Sequence, residues 1–243
     1  MLFLKCSVRG IFFTLTKALT SLYYASMKNE NIKAIVFDMD GVLLDSERIT
    51  RLMWAKAGKE YGIDEVETAV RDCTGSSRPD QWVYLKKKYG EDFKAKEFRK
   101  RCSELFHEYV DENGLPPMPY SREILEYLRS QGYVLSLASS TQSVTVHKEL
   151  KEAGMFDFFK TVTCGDQVEH SKPNPEIYLK ACKSIGLDPS VCACVEDSPN
   201  GIRSAFIAGL KCIMVPDQIQ PDEELSRYLW KCPSSLEGLK EFL

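Results

Sequence analysis

Five short apolar runs, none of them alternating with polar residues, constrain this chain more than any other feature. They are Lys33–Phe37, Tyr133–Ala138, Thr161–Cys164, Val191–Val195 and Lys211–Val215. A strand with one wet face alternates, whereas a strand covered on both faces does not. The runs therefore predict a parallel sheet with helices on both sides. Helical patterns separate them as that architecture requires. Glu123–Ser130 follows a proline-rich turn at 116–119, and Gln142–Ala153 ends at Gly154. Pro175–Ile185 has Asn174 as cap and a proline at its first position; Pro199–Ala208 follows Ser198 in the same manner and stops at Gly209. Strand–helix alternation of this kind predicts a doubly wound α/β domain.

The first crossover departs from the pattern. About 95 residues separate Phe37 from Tyr133, far more than one crossover helix needs. Within them, Phe98, Cys102, Leu105, Phe106 and Tyr109 share one face of a helix over 94–112. Weaker helical patterns cover Glu47–Tyr61, Glu65–Asp72 and Asp80–Tyr89. Residues 47–114 thus read as a small helical domain inserted after the first strand. Residues 27–46 and 115–243 form the Rossmann-like core.

Chemistry concentrates at the carboxyl ends of the strands, where open α/β sheets bind ligands. Asp38-Met39-Asp40-Gly41-Val42 directly follows the apolar run ending at Phe37. Two carboxylates at the end of a buried strand need a partner, because burying them alone is costly, and a metal cation is the natural one. A calcium loop fits poorly, since it needs further ligands at fixed positions and no preceding strand. Ser139 follows the second run, Lys172 lies shortly after the third, and Glu196 and Asp197 follow the fourth. Singly, each has an ordinary alternative: a turn serine, a surface lysine, a solvated loop in which Asp197 helps to cap a helix. Together they place carboxylates, a hydroxyl and an ammonium on one rim of one sheet. That set suits a phosphate with Mg²⁺, which takes oxygen ligands.

Composition narrows the classes further. The chain has 243 residues, 44% hydrophobic and 28% charged, with a formal net charge of −3 and a pI near 5.8. Such a balance gives no support to nucleic-acid binding. Nine cysteines without metal spacing read as reduced core thiols of a cytoplasmic protein. Residues 1–26 are apolar and basic without an acid, yet Lys17 interrupts them and no uncharged stretch is long enough to span a bilayer. Met27 is the expected true start. A weak targeting or membrane-surface segment is the rival reading, and no stable membrane association is expected. Monomer is the default state.

The segments DMDGVLLD, LASS, SKPNPEIY and EDSPNGI occur in this order at 38–45, 137–140, 171–178 and 196–202. In these motifs the chain resembles the haloacid dehalogenase-like (HAD) hydrolases, in the β-phosphoglucomutase-like branch of phosphatases with a helical cap. The resemblance covers about residues 32–216. It implies Asp38 as nucleophile, Asp40 as general acid/base, Ser139 and Lys172 as phosphate ligands with Ser140 beside them, and Asp197 as a Mg²⁺ ligand. Asp38 would share that metal, Asp40 would reach it through its backbone carbonyl, and Glu196 would act mainly through metal-bound water. Gly75, Ser77 and Arg78 match a cap loop that reaches the active site, which makes Arg78 a candidate for gripping a distal substrate group; a helix-start arginine facing water is the alternative. Trp54 matches a cap position and equally a packed core tryptophan.

The expected activity is Mg²⁺-dependent hydrolysis of a small phosphorylated metabolite, a sugar phosphate foremost, through an aspartyl-phosphate. A β-phosphoglucomutase-type mutase is the alternative. Mutases of this branch carry a histidine where this chain has Thr50, and the usual glycine before the helix at 123 falls on Tyr120 or Ser121. A response-regulator-like phosphoacceptor is disfavoured, because there the phosphorylated aspartate follows the third strand. A catalytically dead binding protein would not need every catalytic position filled.

Overall fold

A computed structural model describes residues 31–73 and 78–243, apart from the side chains at 78 and 79. The extension 1–26 lies outside the described residues. So do Gly75 and Ser77 and the side chain of Arg78.

Among the described residues, six strands form one parallel sheet. They are β1 (Ala34–Phe37), β2 (Val134–Ser139), β3 (Thr161–Cys164), β4 (Cys192–Glu196), β5 (Lys211–Met214) and β6 (Leu229–Lys231). Their order is β3-β2-β1-β4-β5-β6. The helices are α1 (Ser46–Tyr61), α2 (Val66–Cys73), α3 (Arg78–Tyr89), α4 (Ala95–Asn113), α5 (Ser121–Ser130), α6 (Ser143–Glu152), α7 (Glu176–Ile185), α8 (Pro199–Ala208) and α9 (Glu223–Ser226). The doubly wound architecture read from the sequence is the one observed, with its helical insert between β1 and α5.

The lack of alternation in the strands has its reason in the two cores. Ile35 and Phe37 of β1 join Leu135, Leu137, Ala193, Val195 and Ile213 in a cluster on one face. Ala34 and Val36 join Cys192, Cys194, Cys212 and Met214 in a second cluster, packed against α7 and α8 on the other. A third cluster holds the insert together. Trp54, Ala69, Leu85, Phe98, Cys102 and Leu105 lie at its centre, with the Trp54 and Phe98 rings edge to face at 5.3 Å. Phe106 and Tyr109, on the same face of α4 in the sequence reading, pack instead against the sheet core.

Several boundaries differ from the sequence reading. Ser139 and Glu196 are the last residues of their strands, not the first residues beyond them. Ser139 pairs with Cys164 and Glu196 with Met214. Helix α7 starts at Glu176, with Pro175 in the cap position, and Asn174 Oδ1 accepts from the Glu176 N–H at 3.0 Å. Strand β6 was not read from the sequence. It has three partly buried residues and joins β5 through an irregular register. The eight cysteines described are free, seven buried and Cys232 exposed. No helix among the described residues is long and apolar enough to cross a membrane.

Candidate active site

Register alone gathers the candidate residues. Phe37 of β1 pairs with Leu137 of β2 and with Val195 of β4. The next residues on each strand are therefore Asp38, the Ala138–Ser139 step and Glu196, all leaving the same edge of the sheet. The strand order reverses at β1, with β2 on one side and β4 on the other. That reversal opens the crevice in which ligands of such sheets lie.

Lys172 ties the crevice together from the segment before α7. Its Nζ donates to Asp38 Oδ1 at 2.6 Å, to Glu196 Oε1 at 2.7 Å and to the Ala138 carbonyl at 3.0 Å. All three donor positions are thus used. Burial alone would lower its pKa, but the carboxylates of Asp38 and Glu196 overcome that and hold it above the ordinary lysine range. Lys172 remains an ammonium.

Glu196 is fully buried and saturated with donors. Besides Lys172, Tyr178 Oη donates to Oε1 at 2.8 Å. Oε2 accepts from the Asp197 N–H at 3.2 Å, the Ser198 N–H at 3.2 Å and Ser198 Oγ at 3.0 Å. Ser198 in turn caps α8, accepting from the Gly201 N–H at 3.1 Å. Position 201 has no room for a side chain. A Cβ there would lie 1.8 Å from Glu196 Oε1. A Cβ at Gly41 would lie 2.4 Å from Asp197 Oδ2, and Gly41 has a φ of +74°.

Asp38, Glu196 and Asp197 each offer a carboxylate oxygen within 4.8 Å of the others. Burial pushes the Asp38 carboxyl up to about 8, with the charges of Glu196 and Asp40 adding to it and Lys172 opposing it. Burial likewise holds Asp197 well above the carboxylate range, reinforced by Glu196, Asp38, Glu47 and Asp217. One lysine does not neutralise so many acids. The excess of oxygen donors and negative charge could hold a hard divalent cation, with Asp38 and Asp197 as its ligands and Glu196, whose oxygens are already taken, adding charge behind them.

Asp40 stands apart from that group. Thr141 Oγ1 donates to its Oδ2 at 2.9 Å. Ser139 is fully buried, and its Oγ accepts from the Thr141 N–H at 3.1 Å. Its own hydroxyl hydrogen remains available. Ser140 is exposed and lines two cavities. One, of about 350 Å³, holds Asp38, Asp40, Lys172 and Asp197. The other, of about 490 Å³, runs between α1 and α4 of the insert and α6 of the core, and Asp40 lines it too. Thr50 and Trp54 face this second cavity. The Arg99 guanidinium lies 4.3 Å from the Trp54 ring centroid.

Sequence reading therefore located Asp38, Asp40, Ser139, Ser140, Lys172, Glu196 and Asp197, and the structure brings them to one rim. It missed Tyr178, Thr141 and Gly201. Tyr178 and Gly201 each lie within a motif already noted, SKPNPEIY and EDSPNGI, but neither motif marks the contact that its residue makes with Glu196.

Comparison with known proteins agrees with this geometry. Residues 35–215 match the family model described as haloacid dehalogenase-like hydrolase. YhcW of Bacillus subtilis, a candidate phosphatase, is 33% identical over 77% of this chain and 85% of its own. The phosphorylated carbohydrates phosphatase of Thermotoga maritima is 31% identical over 75% of this chain and 84% of its own. The crystal structure of a candidate β-phosphoglucomutase from Thermotoga maritima superposes with a TM-score of 0.71 at 28% identity, covering 87% of this chain and all of that one.

Proposed function

From the premise that the chain belongs to the haloacid dehalogenase-like hydrolases, in their β-phosphoglucomutase-like branch, we propose that it is a Mg²⁺-dependent phosphatase of small phosphorylated metabolites, sugar phosphates in particular, acting through an aspartyl-phosphate. The observation that carries this reading is Asp38. It is a buried carboxylate at the end of β1, 2.6 Å from the Lys172 ammonium and within a group of three acids.

The residues divide the chemistry among themselves. An Asp38 oxygen attacks phosphorus, the Asp38 O–P bond forms, and the bond to the leaving oxygen breaks. Asp40 gives its proton to that oxygen. The Thr141 hydrogen bond holds its carboxyl at the junction of the two cavities. Asp40, now ionised, takes a proton from water, which displaces phosphate from Asp38 and restores both acids. The Ser139 hydroxyl donates to the phosphoryl oxygens, and Lys172 does so in exchange for one of its three present contacts, with Asp38, Glu196 and the Ala138 carbonyl. Mg²⁺ held by Asp38, the Asp40 backbone carbonyl and Asp197, with the fully hydrogen-bonded Glu196 behind them, would supply positive charge against the repulsion between carboxylate and phosphoryl group. Tyr178 and Ser198 fix Glu196 and, through it, the position of Lys172. Residues 47–114 act as the cap, and the loop holding Gly75, Ser77 and Arg78 remains a candidate selector of the distal substrate group.

Thr50, in place of a mutase histidine, lines the cavity next to Asp40 and favours hydrolysis over mutase chemistry. The test is phosphate release from a panel of sugar and polyol phosphates by wild type and Asp38→Asn. The variant is nearly isosteric, and a loss of at least ~10³-fold is expected. Retention of activity within about tenfold would remove Asp38 from the nucleophile's role.

A further inference from the structure

The cavity between the insert and the core contains a carboxyl that the reaction as described does not use. Glu149, on α6, is only 6% exposed and lines this cavity of about 490 Å³ together with Asp40. Among the described residues its carboxyl makes no hydrogen bond and no ion pair. The neighbouring Lys148 does not serve it, because its ammonium is engaged by Asp111 at 2.6 Å. Its oxygens are not among the enclosed unpaired side-chain atoms of the described residues, so the carboxyl opens into the cavity, where an incoming hydroxyl can reach it. Helix α6 presents it to the space that Asp40 faces.

Asp40 decides what fills that space. The group that protonates the leaving oxygen must touch the leaving group, so the alcohol portion of the substrate lies on the Asp40 side. Asp40 lines this cavity and the phosphate crevice. The opposite wall carries Arg99 and His107. A cationic leaving group would meet Arg99, and a second anionic group would meet Glu149. A neutral group rich in hydroxyls suits both walls, since it donates to the carboxylate and brings no like charge to Arg99, whose Nε–H is given to Gln81 at 2.8 Å.

We propose that Glu149 is a specificity-determining residue that accepts hydrogen bonds from the hydroxyls of a neutral, polyhydroxylated leaving group. This rests on the phosphatase reading and narrows it to monophosphates of sugars or polyols without a second charge at the far end. The volume accommodates a six-carbon chain with its hydroxyls.

The test compares hexitol 6-phosphate with n-hexyl phosphate, which has the same chain length and no hydroxyls. Wild type, Glu149→Ala and Glu149→Gln are assayed for phosphate release at saturating Mg²⁺. Wild type is expected to prefer the hexitol ester. In Glu149→Ala the ratio of kcat/KM values, hexitol over hexyl, should fall about tenfold or more, the range for losing a hydrogen bond to a charged group. The fall should appear in KM more than in kcat, and Glu149→Gln, still an acceptor, should lie between. A structural role would lower both esters together and leave the ratio unchanged. Loss of folding does not confuse the result, because Glu149→Gln keeps the shape and removes an unpaired buried acid. A ratio changed by less than about fivefold in Glu149→Ala, or no hexitol preference in wild type, overturns the proposal. If wild type releases phosphate from neither ester, the phosphatase reading itself fails, and this inference with it.

Discussion

Replacing Gly201 by alanine should break the active site from behind, without touching a reacting group. The added Cβ would sit 1.8 Å from Glu196 Oε1, 1.9 Å from Cδ and 2.2 Å from Oε2, all on a fully buried side chain. Reaching even the 3.0 Å that Cβ contacts respect needs a shift of about 1.2 Å. Glu196 cannot make that shift freely. Moving away from Cβ stretches the 2.7 Å contact with Lys172 and the 2.8 Å contact with Tyr178 beyond hydrogen-bond range. The charged contact is worth about 1.5–3 kcal/mol and the tyrosine contact about 1. Overpacking adds about 1–3 kcal/mol, and the better helix propensity of alanine returns up to about 1. The net is a destabilisation of about 2.5–6 kcal/mol, or a Tm lowered by roughly 5–24 °C for a chain of this size. Displacement of Lys172 should also lower kcat/KM by about 100-fold or more, since a misplacement near 1 Å costs that much. Thermal unfolding followed by circular dichroism, with phosphate release on the same samples, reads both. A variant within about 1 kcal/mol of wild type and within about threefold in kcat/KM would refute the claim that Glu196 is held rigidly to position Lys172.

Two further outcomes follow from the same geometry. Treatment with EDTA should abolish turnover, and Mg²⁺ or Mn²⁺ should restore it while Ca²⁺ does not, because Ca²⁺ accepts a looser geometry; full turnover by metal-free protein would end the metal argument. Glu149→Gln should stabilise the metal-free protein at pH 8 and not at pH 4. Burial, with the charges of Asp40 and Glu152 added and Lys148 opposing, raises the folded pKa of Glu149 to about 7 from 4.5. The folded state therefore keeps a proton that the unfolded chain releases, and wild-type stability falls as pH rises from 4.5 to 7. Halving the full conversion for water in the cavity leaves about 1–2 kcal/mol, read as the difference between the two proteins' urea unfolding free energies. An equal difference at both pH values would contradict it.

What the sequence disclosed and what it hid follow one physical division. Asp38, Asp40 and Asp197 were legible because a charge beside a buried strand has few reasons to be there. Parallel strands then bring their carboxyl ends together whatever the details of packing. Ser139 and Lys172 were legible only jointly, from their places at the ends of successive runs. Tyr178 was hidden because its hydroxyl acts on Glu196 across two elements, α7 and β4, and nothing local marks that meeting. Glu149 reads as an ordinary polar position of α6 until the insert closes over it. Strand β6 was missed because three half-buried residues carry no period. The open choice between Tyr120 and Ser121 resolves to Tyr120, which has a φ of +64°, the left-handed backbone that glycine adopts most readily.

The central claim is that Asp38 carries the phosphoryl group during turnover. It is tested most directly by quenching the enzyme in acid during steady-state hydrolysis, reducing acyl phosphates with borohydride, and mapping the product by peptide mass spectrometry. The account predicts conversion of Asp38, and of no other acidic residue, to homoserine. It also predicts that the product disappears when substrate is omitted. Conversion at Asp40, or continued phosphate release with Asp38 unmodified at every quench time, would contradict it.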